Sequence, residues 1–101
     1  MVVKEKIKLL VYQAIDEIND QLSKDEQVDK NEETVLLGSE AKLDSMALVT
    51  LIVVTEGIIS NAFNRDLSLM GEEAFSQEDS PFQTLGTFID YIDILVKTQK
   101  N

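Results

Sequence analysis

The chain has 101 residues, the length of one ordinary domain, and carries 9 Lys and Arg against 19 Asp and Glu for a net charge of −10. That acid excess argues against nucleic-acid binding and against docking on anionic membranes, and it calls for a partner with a basic patch. With no cysteine and no histidine, disulfides, thiolate nucleophiles, a serine-histidine-aspartate triad and cysteine or histidine metal ligands are all missing, which argues against an enzyme.

A hydrophobic content of 44% fits a folded protein rather than a disordered acidic tail. The N-terminal apolar run, Leu9 to Tyr12, is too short for a signal peptide, and the cysteine-free composition is compatible with the cytosol. A cytoplasmic protein is the expectation.

From Val3 to Leu22, apolar residues recur in three- and four-residue steps at Val3, Ile7, Leu10, Val11, Ala14, Ile15, Ile18 and Leu22, which predicts an amphipathic helix. Ser23 to Thr34 is polar and reads as a long solvated connection, followed by Val35-Leu36-Leu37 and a chain reversal at Gly38. Leu43 to Phe63 is the most apolar stretch. Its β-branched residues (Val49, Thr50, Ile52, Val53, Val54 and Thr55) favour a strand, but its length and the Asp44-Ser45 N-cap pair favour a helix, expected to be buried on most sides.

The ten uncharged residues Met46 to Thr55 are too few to cross a bilayer before Glu56 interrupts. Asn64 to Ser80 is polar, with Leu67, Leu69, Met70, Ala74 and Phe75 available for one short helix. Thr84 then caps a last helix with Leu85, Phe88, Ile89, Ile92, Leu95 and Val96 at helical spacing. The expected fold is all-α, a small four-helix bundle of three longer helices and one short one, forming a single domain over residues 1–101.

The sharpest feature is Leu43-Asp44-Ser45-Met46. A serine at the start of a helix places its hydroxyl where free backbone N–H groups and the helix dipole favour an attached anion, so a phosphate ester there is electrostatically well placed. Asp44 alongside is suited to hold Mg²⁺ during phosphoryl transfer by a modifying enzyme. Capping alone also accounts for the same dipeptide. Asp29, Asn31, Glu33 and Glu40 fall at calcium-loop positions, but Thr34 stands where the loop's turn needs glycine. Those carboxylates read as a solvated linker.

Leu36-Leu37-Gly38 six residues before Asp44-Ser45, then Met46, Val49, Ile52 and Val53, resembles the attachment signature of the acyl carrier protein family. The closing segment Thr84 to Ile92, with its Asp90-Tyr91-Ile92, resembles that family's last helix, so the likeness spans nearly the whole chain. The resemblance implies a carrier and not an enzyme. On that resemblance Ser45 would receive a 4′-phosphopantetheine arm from coenzyme A through a phosphopantetheinyl transferase, and the arm's thiol would hold an acyl or aminoacyl cargo as a thioester. Asp44 assists recognition by the transferase. Met46, Val49 and the second helix, with Glu56 on its flank, form the docking face for acyl- or aminoacyl-transferring enzymes.

The chain also departs from general fatty-acid carriers. They usually have glycine where Lys42 stands, they display carboxylates along the second helix where Met46 to Thr55 has none, and their stretch between the second and last helices is shorter than Asn64 to Gln83. These departures favour a specialised carrier, such as one for a polyketide, nonribosomal peptide, aminoacyl or surface-glycan pathway. Val49, Ile52, Val53, Ile58 and Phe63 are the candidates to line an interior that shelters an acyl chain. A monomer is expected. The alternative is an acidic helical adaptor with no cofactor, binding a basic protein partner. A serine-lysine pair of Ser45 with Lys42 is the weakest reading, because it needs a burial that a charged loop seldom provides.

Overall fold

The computed structural model describes residues 3–37, 41, 44–64, 67, 69 and 82–98, without the side chains of Ser45 and Thr98. Among these the chain is all-α. It has three α-helices, one 3-10 turn at Lys24–Glu26, no strand, and a single antiparallel bridge between Val35 and Thr84.

Helix α1, Val3–Asn19, buries Ile7, Val11, Ala14, Ile15 and Ile18 along one stripe, as its spacing predicts. It stops short of Leu22. The N–H groups of Gln21 and Leu22 turn back to the carbonyls of Ile18 and Asn19, tightening the last turn to three-residue steps, and the Asn19 side chain reaches across to Val28. Leu22 still packs, half-buried, on the core. The connection that follows is less solvated than its composition suggests. Val28 is only 5% exposed and belongs to the core.

Helix α2, Ser45–Phe63, begins at Asp44, whose extended backbone (φ −80°, ψ 174°) and side chain make it the N-cap: Oδ1 accepts the Ala47 N–H at 2.8 Å. It ends at Asn64 in the left-handed region (φ 53°), a conformation asparagine tolerates better than most residues. Leu48, Leu51, Ile52, Thr55 and Ile59 are buried and recur at helical steps, so tertiary burial overrides the strand preference of the β-branched run. The expectation of burial on most sides is corrected. Met46 is 75% and Val53 55% exposed, because α2 turns only one face to the core.

Helix α3, Leu85–Thr98, buries Leu85, Phe88, Ile89, Ile92 and Val96. Thr84 and Thr87 cap it reciprocally, each hydroxyl accepting the other's backbone N–H at 3.2 and 3.1 Å. The Leu85 and Gly86 N–H groups, orphaned by position in the first turn, donate to the carbonyls of Thr34 and Glu32 at 2.9 and 2.8 Å. Leu36 N–H closes the same seam on the Gln83 carbonyl at 2.8 Å. This seam straps the first connection to the start of α3.

Helix α1 packs against both α2 and α3, and one hydrophobic cluster takes residues from all three. Phe82 meets Phe88 and Tyr91 edge to face, with ring centroids 5.5 and 5.9 Å apart. Of the short helix expected between α2 and α3, only Leu67 and Leu69 are described, both buried and neither helical, which corrects their place in it; Met70, Ala74 and Phe75 lie outside the described residues.

Candidate functional site

Ser45 is the first residue of α2, and its side chain lies outside the described part of the structure. The first intrahelical bond runs from Leu48 N–H to the Asp44 carbonyl at 3.0 Å, and Asp44 Oδ1 takes the Ala47 N–H. Helix geometry leaves the Ser45 and Met46 N–H groups without an intrahelical acceptor. The cap is therefore Asp44, with Ser45 one position inside the helix. Asp44 and Met46, which flank Ser45 in the chain, are both exposed.

Asp44, Met46 and Val49 gather within the first turn and a half of α2. Val49 is half-buried. From Met46 an exposed stripe continues through Thr50, Val53 and Gly57 at steps of four, three and four, carrying no charge. Thr50 Oγ1 donates to the Met46 carbonyl at 3.0 Å. Beside this turn a cleft of about 250 Å³ opens between the end of α1 and the start of α2, with Ile18, Leu22 and Glu26 on one side and Asp44, Met46 and Ala47 on the other.

Glu56 stands apart from that group, 11 residues on from Ser45 and so about 16 Å along the axis. It is half-buried, and its Oε2 accepts the Leu69 N–H at 2.8 Å. One turn further along α2, Ser60 Oγ accepts the Leu67 N–H at 3.2 Å, and Tyr91 of α3 donates its hydroxyl to the Leu69 carbonyl at 3.2 Å. Glu56 thus fastens a returning segment, with Ser60 and Tyr91 as partners that sequence reasoning missed. The Glu56 and Ser60 spacing of four residues was a visible signal, but the backbone they hold lies in a polar stretch with no periodicity to flag it.

Of the candidate interior lining, Ile52 is buried, Val49, Ile58 and Phe63 are half-buried, and Val53 faces solvent and lines no interior. Gly38, Glu40, Lys42 and Leu43 lie outside the described residues. The calcium-loop residues serve as turn builders instead. Asn31 Oδ1 accepts the Glu33 N–H at 2.8 Å, and the Asp29 carbonyl accepts the Thr34 hydroxyl at 3.0 Å. Among the described residues no group of three or more acidic side chains is arranged to hold a metal.

The shifted titratable groups sit elsewhere. Lys4 is raised above the ordinary lysine range by its hydrogen bond to Asp90 and that carboxylate's charge, and Lys8 is raised in the same way by Glu32. By length and composition alone, residues 46–63 (mean hydropathy 1.8) are long and apolar enough to cross a membrane, with Glu56 inside that span. In this fold the same helix supplies four buried apolar side chains, Leu48, Leu51, Ile52 and Ile59, to the shared core. The chain matches no protein-family model, no curated protein and no solved structure.

Proposed function

We propose that this protein is a carrier, a small four-helix bundle whose Ser45 bears a 4′-phosphopantetheine arm. The observation that carries the proposal is the placement of Ser45 at the first position of α2, behind the Asp44 cap and between two exposed residues. A phosphodiester at that position meets the positive end of the helix dipole and the uncommitted N–H groups of the first turn. Asp44, exposed and adjacent, suits recognition by the transferase and its Mg²⁺. When bound, the group supplies a thiol that a chain without cysteine lacks, holding acyl or aminoacyl cargo as a thioester.

Met46, 75% exposed, and the uncharged stripe below it form the docking face for the transferase and the cargo-transferring enzymes. The carrier works in the cytoplasm as a monomer, without inserting into membranes, in a specialised pathway.

Incubation with coenzyme A, Mg²⁺ and a broad-specificity phosphopantetheinyl transferase tests the reading by intact mass. One phosphopantetheinyl addition is expected on the wild type and none on Ser45→Ala. Because the cap is Asp44, Ser45→Ala should keep its helical signal and unfold within about 0.5 kcal/mol of wild type. An unmodified wild type after exposure to its cognate transferase overturns the carrier and leaves the acidic adaptor, for which Asp44-Ser45 is a cap and nothing more.

A further inference from the structure

The cleft between α1 and α2 joins Asp44 and Met46, which the carrier reading assigns to docking, to α1 residues that it does not use. Its walls are apolar, from Ile18 and Leu22 on one side and Met46 and Ala47 on the other, and its charged lining residues are Glu26 and Asp44. No basic side chain lines it among the described residues. The surrounding end of the molecule is also acidic, against local electrostatic preference. Helix α1 places Asp16 and Glu17 in its last turn, where the dipole favours cations, and no basic residue stands there. Asp20 follows directly, and the 3-10 turn adds Asp25 and Glu26 against one base, Lys24. Lys30 pairs with Asp16, exposed and at 3.0 Å, while Lys4 and Lys8 are committed to Asp90 and Glu32. Charges held where the fold disfavours them mark a surface shaped for something outside the fold.

We propose that this cleft receives one arginine side chain from a basic protein partner. At about 250 Å³ it falls below the ~300–1,000 Å³ of small-molecule sites, a size that suits a single long side chain. The apolar walls match a methylene stem, and the two carboxylates match a cationic head. Arginine fits better than lysine, because its planar fork bonds carboxylates in pairs, it is more weakly hydrated, and it recurs as an interface anchor.

The positive end of α2 opposes a cation here, but it amounts to about half a charge against two full carboxylates. Asp44 Oδ1 and Glu26 Oε1 each already accept one hydrogen bond, from Ala47 N–H and Ser23 Oγ. A carboxylate has about four acceptor sites, so capacity remains. The assignment does not depend on Ser45 being modified.

The test is an NMR titration of the full chain with N-acetyl-arginine methylamide, following the backbone amides of Leu22, Ala47 and Thr50. Saturable shifts are expected, weakened at high salt. The lysine analogue should bind several-fold more weakly and the neutral citrulline analogue not detectably. Glu26→Gln, which keeps an acceptor for Ser23, should weaken arginine binding about fivefold or more. Asp44→Asn, which keeps an N-cap, is the second variant and should do the same. Ser45→Ala should bind as wild type does, which separates this outcome from any failure of the carrier reading. Absence of saturation, equal binding of the citrulline analogue, or unchanged binding in both charge variants overturns the proposal. So do shifts at these amides that follow protein concentration without probe, which assign the cleft to a second copy of the chain.

Discussion

The Asn19 carboxamide satisfies both backbone polar groups of Val28: Nδ2 donates to the Val28 carbonyl at 3.0 Å, and Oδ1 accepts the Val28 N–H at 2.8 Å. One side chain thus acts as a strand partner for a single residue and pins the first connection to the end of α1. It also explains how Val28, in a polar segment, reaches the core. Asn19→Ala leaves two sheltered backbone groups without partners and should cost about 1–3 kcal/mol, read as a lower urea midpoint. A midpoint within error of wild type would show that water replaces both bonds.

Two glycines should respond oppositely to alanine. At Gly57, in the middle of α2, an added Cβ meets nothing within 4 Å, so Gly57→Ala should stabilise by about 0.5–1 kcal/mol through helix propensity. At Gly86 the added Cβ lies 3.0 Å from the Glu32 carbonyl oxygen, the same oxygen that accepts the Gly86 N–H at 2.8 Å. Gly86→Ala must loosen that seam, and it should unfold at lower denaturant than wild type. Equal gains at both sites would mean the seam carries no stability.

Thr55 is fully buried in α2, and its hydroxyl has no hydrogen-bond partner among the described residues. Replacing the orphan hydroxyl with a methyl group of the same shape removes a desolvation penalty, so Thr55→Val should stabilise by about 1 kcal/mol in denaturant unfolding. A loss of stability would reveal a partner for the hydroxyl in solution.

Lys4 and Lys8 are raised by their hydrogen bonds to Asp90 and Glu32. A folded-state value above the unfolded one means the native protein holds these protons more tightly. Their contribution is fully present below the ordinary lysine range (~10.4) and is lost as pH rises through the raised folded values. Urea midpoints measured from pH 8 to 11.5 should therefore fall less steeply in a Lys4→Met, Lys8→Met double variant than in wild type. Parallel profiles would place the alkaline loss elsewhere.

Periodicity and capping chemistry determined the all-α class, the three helices and the start of α2 at Asp44-Ser45, because an amphipathic stripe and a cap are local properties that need no knowledge of the rest of the chain. Tertiary structure decided which capping role belonged to which residue, how much of α2 stays open, and what the polar segments do. Asn19, Glu56, Ser60 and Tyr91 each hold backbone from another part of the chain, and such bonds leave no periodic trace in the residues that make them. The net charge of −10 said only that a basic partner is favoured. Packing distributes that charge in a way composition does not give, pairing Lys4 and Lys8 with Asp90 and Glu32 and leaving Glu26 and Asp44 lining one cleft.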